Sequence, residues 1–285
     1  MPELSALDFF ILFFFGAFIG LAGSALGIGG GIFMVPFLVL ALKLPMHQAV
    51  AASLVAIVAA SSAVAAVNVE RGLANIRLGV TLEVTTALGS IAGALAASRL
   101  PAPALQLLFA LVLFPVSALM FFKGSRPPGK TPPPLAPSHG TSPFDSAFFD
   151  PALAAHTRYT VRNMAPASFV SFFAGSLSGL LGIGGGIVQV PLMNLVCGVP
   201  MKAAAATSNF IIGVSAAASA YVYFRKGLIP LELTAIIVAG VLAGAFAGIY
   251  ALSRARSEKL QLAFGALTLL VAVKMLLKSL DTGGA

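Results

Sequence analysis

Charge is scarce in this chain. Asp, Glu, Lys and Arg together supply 9% of its 285 residues, against 59% for hydrophobic types. A soluble domain carries about 25% charged residues, so an ordinary water-facing surface is excluded. Cys197 is the single cysteine, which rules out an intramolecular disulfide and a cysteine metal cluster. No Ser/His/Asp triad, zinc-type spacing or carboxylate pair is visible, so no catalytic residue, metal site or cofactor is expected, and an enzyme is the least favoured class. The net charge of +8 does not point to nucleic acid, because the basic residues fall between hydrophobic runs rather than on one polar face.

What is present is hydrophobic length. Runs near the roughly 20 residues needed to cross a bilayer recur, for example Leu7 to Ala25, Ala49 to Val67, Leu78 to Ser98 and Leu105 to Phe122. With a mean hydropathy of +1.00 and no short alternating strands, the chain reads as an all-α integral membrane protein embedded in a lipid bilayer, not a barrel. The first run follows Glu3 and carries Asp8, without the basic leader of a signal peptide, so it is read as a retained helix.

The heptapeptide Leu26-Gly-Ile-Gly-Gly-Gly-Ile32 returns letter for letter as Leu181-Gly-Ile-Gly-Gly-Gly-Ile187, an offset of 155. That offset also pairs Pro36 with Pro191, Pro45-Met46 with Pro200-Met201, Ser53 with Ser208, Gly89 with Gly244 and Gly93 with Gly248. Two homologous repeats of four to five transmembrane segments follow, at 1–123 and 161–285. They are joined by a proline-rich linker, 124–160, read as exposed. The second segment of each repeat is short: Ile28 to Leu42 covers only about 22 Å of the roughly 30 Å hydrocarbon core. Five crossings per half make the repeats inverted, and four make them parallel. Inversion is the expected arrangement. Positive-inside places the linker in the cytoplasm either way.

In each loop, consecutive glycines remove side chains and let backbone amides approach a ligand, while the next helix turns its positive end toward it. Gly29, Gly30 and Gly31, with Gly184, Gly185 and Gly186, are therefore candidate anion contacts. Helix packing through small residues is the competing explanation. A dinucleotide fingerprint fails, since its third glycine would fall at Ile32 or Ile187. After Pro45 and Pro200, Ser53 and Thr207-Ser208-Asn209 lie near the depth of the breaks and offer hydroxyl and amide groups to an anion, against the alternative of bonding to helix carbonyls. Gln189, opposite Met34 in the other half, joins them. Glu83 and His47 are candidate coupling residues, with interfacial pairing and a helix-boundary role as the respective alternatives.

The stretch Gly179 to Ile187 with Pro191, then Gly198 to Met201 and Ala206 to Ser208, resembles the TauE/SafE family of sulfite exporters. Arg225 to Gly227 and the pairs Gly89/Gly93 and Gly244/Gly248 add to the likeness, which spans both repeats. The resemblance implies a multi-pass permease of the bacterial inner membrane that exports a small inorganic or organic sulfur anion, sulfite or an organosulfonate. The first repeat departs from the pattern, with Ala52 where the second has Thr207, so the halves are expected to contribute unequally. The reading is a secondary transporter using alternating access around a midplane site at the two loops. The membrane potential is worth about 2.3 kcal/mol per charge at 100 mV and suffices to drive export, with protons as an optional coupling ion. An anion channel and a non-transporting receptor or scaffold are the alternatives.

Overall fold

The computed structural model describes residues 6–26, 29–124, 143–150, 155–251 and 269–279. The first half comprises α1 (Ala6–Leu26), α2 (Gly31–Leu40), α3 (Met46–Glu70), α4 (Ile76–Ala97) and α5 (Ala102–Gly124). A hairpin of β1 (Ser146–Asp150) and β2 (Ala155–Tyr159) follows. The second half has α6 (Met164–Leu181), α7 (Gly186–Pro191), α8 (Met201–Arg225) and α9 (Leu231–Ala251), with a last helical stretch, α10, over 269–279. Pro45 and Pro200 sit just outside α3 and α8 as their N-caps, with nearly identical dihedrals, φ −55° with ψ 140° and φ −55° with ψ 142°. Their ring-fixed φ starts both helices at matching positions.

Among the described residues, five helices are long and apolar enough to cross a membrane: Met46–Glu70, Ile76–Ala97, Met164–Leu181, Met201–Arg225 and Leu231–Ile249. Their outward faces carry Val80, Val84 and Leu88 on α4 and Phe169 and Phe173 on α6, all exposed, as Phe10 and Phe14 are on α1. Such apolar faces are satisfied by lipid. The chain is a multi-pass helical membrane protein with one small β-hairpin beside the bundle.

α1 packs on α9, α4 on α6, and α3 crosses α8, while α4 also meets α8 and α3 meets α9. The contacts repeat at the offset seen in the sequence. A methyl group at Gly89 would strike the Phe172 carbonyl, and one at Gly244 the Ala17 carbonyl; Gly175 and Gly20 stand likewise against the carbonyls of Thr86 and Val241. Both interfaces therefore close through glycine, backbone on backbone. The order of these contacts makes α4 run in the same direction as α6, and α1 in the same direction as α9. α4 also runs with α8, since Asn75 meets Thr207 and Ser90 meets Ser215. The short turn between Glu70 and Ile76 reverses α3 relative to α4, so α3 and α8 run in opposite directions.

The short second segment is real: α2 has ten residues, about 15 Å of helix. In the second half α7 ends at Pro191 and continues as a π turn, Leu192–Val196. The end of the linker departs from the expectation of exposed chain. Phe148, Tyr159 and Val161 are buried in a second core cluster with Leu78, Cys197, Val199 and Ala203. The Asn75 amide donates to the Phe144 carbonyl at 2.8 Å, and the Val161 N–H to Asp145 Oδ1 at 3.0 Å. Burial pushes the Tyr159 hydroxyl above its ordinary range, while hydrogen bonds with Asn75 and Ser146 pull it back. The proline-rich stretch itself, 125–142, lies outside the described residues.

Candidate functional site

Both glycine loops break the chain in the same way. Gly29 and Gly30 have φ of 81° and 73°, and Gly184 and Gly185 have 83° and 69°. These are left-handed conformations that only glycine adopts freely. Gly30 and Gly185 are the N-caps of α2 and α7, and neither receives a side-chain cap. The first amides returned to the helices are those of Phe33 and Val188, bonding to Gly30 and Gly185 at 3.1 Å. The N–H groups of Gly31, Ile32, Gly186 and Ile187 precede that ladder, as at any helix start. Gly27 and Ile28 of the first copy lie outside the described residues.

The loops meet. A methyl group at Gly31 would run into the carbonyl of Gly182, and one at Gly29 would reach Ile212 at 3.2 Å and Ile57 at 3.5 Å. Ser53, fully buried on α3, donates from Oγ to the Gly182 carbonyl at 2.7 Å and ties the first half to the second loop. Beside the first loop is a cavity of about 10 Å³, lined by Gly29, Gly30, Gly31, Met34, Ser53 and Ile57 among others. That volume holds about one water molecule. A wider groove of about 290 Å³ between α3 and α8 is lined by Val55, Val58, Ala217, Tyr221 and Phe224, which offer little to hold an anion.

The remaining candidates divide by half. Ser208 is fully buried, and its Oγ has no hydrogen-bond partner among the described residues. Thr207 is occupied: its hydroxyl donates to the Ala203 carbonyl at 2.7 Å and accepts the Asn75 N–H at 2.9 Å. The local back-bonding weighed from the sequence is what this residue does, with a tie to α4 added. Asn209 is buried on the same helix. Gln189 is fully buried; its amide donates to Thr86 Oγ1 at 2.9 Å and accepts from Ser171 Oγ at 3.3 Å. His47 Nε2 stands 3.1 Å from the Ala97 carbonyl and 3.2 Å from that of Leu100, so it ties the start of α3 to the α4–α5 turn. Glu83 is buried on α4.

Thr86 and Ser171 were not among the sequence candidates. A signal for them existed. At the offset of 155, Thr86, Ser171 and Gln189 face Val241, Gly16 and Met34. Three polar departures from the repeat thus converge on one network, while the equivalent place in the first half contains Met34, Val241 and the cavity.

The profile of the family described as Sulfite exporter TauE/SafE matches residues 12–275. "Probable membrane transporter protein YunE" of Bacillus subtilis is 28% identical over 217 residues, covering 73% of this chain and 76% of that protein. A "Probable membrane transporter protein" of Xylella fastidiosa is 25% identical over 267 residues, 93% of each chain. "Sulfite exporter TauE/SafE family protein 5" of Arabidopsis thaliana is 44% identical over 59 residues, 21% of this chain and 13% of that protein. No solved structure matches. With a family match over nearly its whole length and a helical membrane architecture built around two touching glycine loops, the chain belongs to the TauE/SafE family of membrane transporters.

Proposed function

We propose that the protein is a secondary transporter that exports a small sulfur-containing anion, sulfite or an organosulfonate, by alternating access around one site at the two Leu-Gly-Ile-Gly-Gly-Gly-Ile loops. The observation that carries this reading is the meeting of the loops at Gly31 and Gly182, clasped by Ser53. In it, Gly29 to Gly31 and Gly184 to Gly186 present backbone amides and helix N-termini, the usual protein chemistry for an anion at membrane depth. Ser53, Ser208, Asn209 and Gln189 supply polar contacts as the site opens, and Thr207 holds α8 to α4. Among the described residues, no lysine or arginine is fully buried.

The repeats, 1–123 and 161–285, act as inverted halves, which the opposite directions of α3 and α8 support. The protein sits in the bacterial inner membrane with the 124–160 linker in the cytoplasm. The cavity of about 10 Å³ is too small to hold an anion, and saturation of flux is what separates a carrier from a gated channel. Purified protein in liposomes tests the reading with a panel of labelled sulfite, sulfate and short alkylsulfonates. Saturable flux of at least one sulfur oxyanion supports it. Absence of flux for all of them, or flux that never saturates, overturns it.

A further inference from the structure

Glu83 is 8% exposed, and neither carboxyl oxygen meets a hydrogen-bond partner among the described residues. Buried polar groups are nearly always paired, and an ionisable side chain within a membrane span is rare without a task. Its surroundings are specific. One turn before it, a methyl group at Gly79 would contact Phe210 at 3.0 Å and Thr207 at 3.4 Å, both on α8. Three residues after it, Thr86 accepts the Gln189 amide at 2.9 Å. Residues three apart on a helix are neighbours, so Glu83 adjoins a chain of hydrogen-bonding groups that leads through Thr86 to Gln189, one turn beyond Gly186. The equivalent position in the other half is Val238.

Among the described residues of the elements packed near Glu83, the other titratable groups are exposed, bonded elsewhere or buried in another cluster. α6 and α7 contain no Asp, Glu, Lys, Arg, His, Cys or Tyr. On α8, Lys202, Tyr221 and Arg225 are exposed, and the Tyr223 hydroxyl donates to the Gly179 carbonyl. On α4 itself, Arg77 is exposed and donates to the Pro143 carbonyl. At the hairpin, Asp145 accepts the Val161 N–H, His156 and Arg158 are exposed, and Tyr159 is tied to Asn75. Cys197 is buried in the cluster that includes Leu82.

We propose that Glu83 is a proton-binding site of the transport cycle, taking up a proton as the anion binds and releasing it as the anion leaves. This rests on the anion-transport reading. Two unit charges about 10 Å apart, at an effective dielectric near 20, alter each other's binding by roughly tenfold. An anion beside Gly186 and Gln189 therefore favours the protonated carboxyl, and by linkage the protonated carboxyl favours the anion. The proton comes from water on one side, forms an O–H bond on the Glu83 carboxylate, and returns to water on the other. The anion itself is unchanged.

The test uses proteoliposomes with a trapped pH indicator and a labelled alkylsulfonate, which stays fully ionised near neutral pH and carries no proton of its own. In the wild type, anion flux moves protons in the same direction and varies about tenfold with pH. Glu83→Gln loses the proton movement, and its residual flux is independent of pH. Glu83→Asp restores proton movement with a displaced pH profile, and it serves as the test if the Gln variant does not fold. Wild-type anion flux without proton movement, flux that follows a sodium gradient instead, or an Asp or Gln variant with the wild-type pH profile overturns the proposal while leaving anion transport standing. Failure of the wild type to carry any anion overturns the transport reading.

Discussion

Thr207 illustrates how a hydroxyl that looks available in sequence is spent in the fold. It donates to Ala203 and accepts from Asn75, whereas Ser208 beside it keeps an unpartnered Oγ. Replacing Thr207 with Val should therefore act on stability more than on anion affinity. Two buried hydrogen bonds are lost and the Asn75 N–H is left unpaired, at a cost of about 1–3 kcal/mol, readable as a lower unfolding midpoint in detergent with KM little changed. Ser208→Ala should do the reverse, raising KM with little change in midpoint. The Gln189 network follows the same logic. Gln189→Met copies the residue found at the equivalent position and removes the acceptor of Ser171 Oγ, while the Thr86 hydroxyl keeps its bond to the Leu82 carbonyl at 2.7 Å. At this scale the sequence disclosed which residues are polar and where the repeats differ. It did not disclose who bonds whom, because Gln189 and Thr86 are 103 residues apart and only the packing of α4 against α6 and α7 brings them together.

Helices were the most legible elements. The run Leu78 to Ser98 became α4, Ile76–Ala97, and Ala49 to Val67 became the middle of α3, because hydrophobic length in a bilayer dictates helix directly. The hairpin was not legible. Its strands are five residues each within a linker whose composition argues against order, and its stability comes from burying Phe148 and Tyr159 against α4 and α8. The π turn after Pro191 was equally hidden, since Pro36 at the equivalent place stays inside an unbroken α-helix. Asn75 joins the hairpin to the bundle through Phe144, so Asn75→Ala should loosen it, seen as faster proteolytic cleavage within 143–159. Gly89 and Gly244 lie against a neighbouring helix's carbonyl, and neither backbone can yield easily. Leu at either position should destabilise by at least about 1–3 kcal/mol and lower the yield of monodisperse protein on size exclusion.

Across the whole molecule, α3 and α8 cross in opposite directions, as the proposed inversion of the halves requires. The offset of 155 between matching stretches was legible in the sequence, but the sense of a repeat depends on the short segment, which hydrophobicity alone does not orient. Inversion with a cytoplasmic linker predicts that a cysteine at exposed Ala147 is labelled by an impermeant maleimide only in inside-out vesicles; Cys197 is buried and adds little background. Labelling from the outside would reverse the topology. The C-terminal stretch also braces the first half, with Lys278 Nζ donating to the Val39 carbonyl at 2.8 Å and Ser279 Oγ to the Pro103 carbonyl at 3.2 Å.

The central claim is that the two touching loops form the anion site, and flux through loop variants tests it most directly. Gly30 and Gly185 have left-handed φ, and a side chain at Gly30 would also press on Ile19 at 2.6 Å, so valine at either position distorts the loop that presents the amides. Labelled sulfite and alkylsulfonate uptake should be measured for Gly30→Val and Gly185→Val in proteoliposomes, beside a folded control carrying Leu88→Val on the exposed outward face of α4. Flux lowered at least tenfold in both loop variants, with the control near wild type and all three proteins monodisperse, is the predicted result. Wild-type flux in either folded loop variant would contradict it.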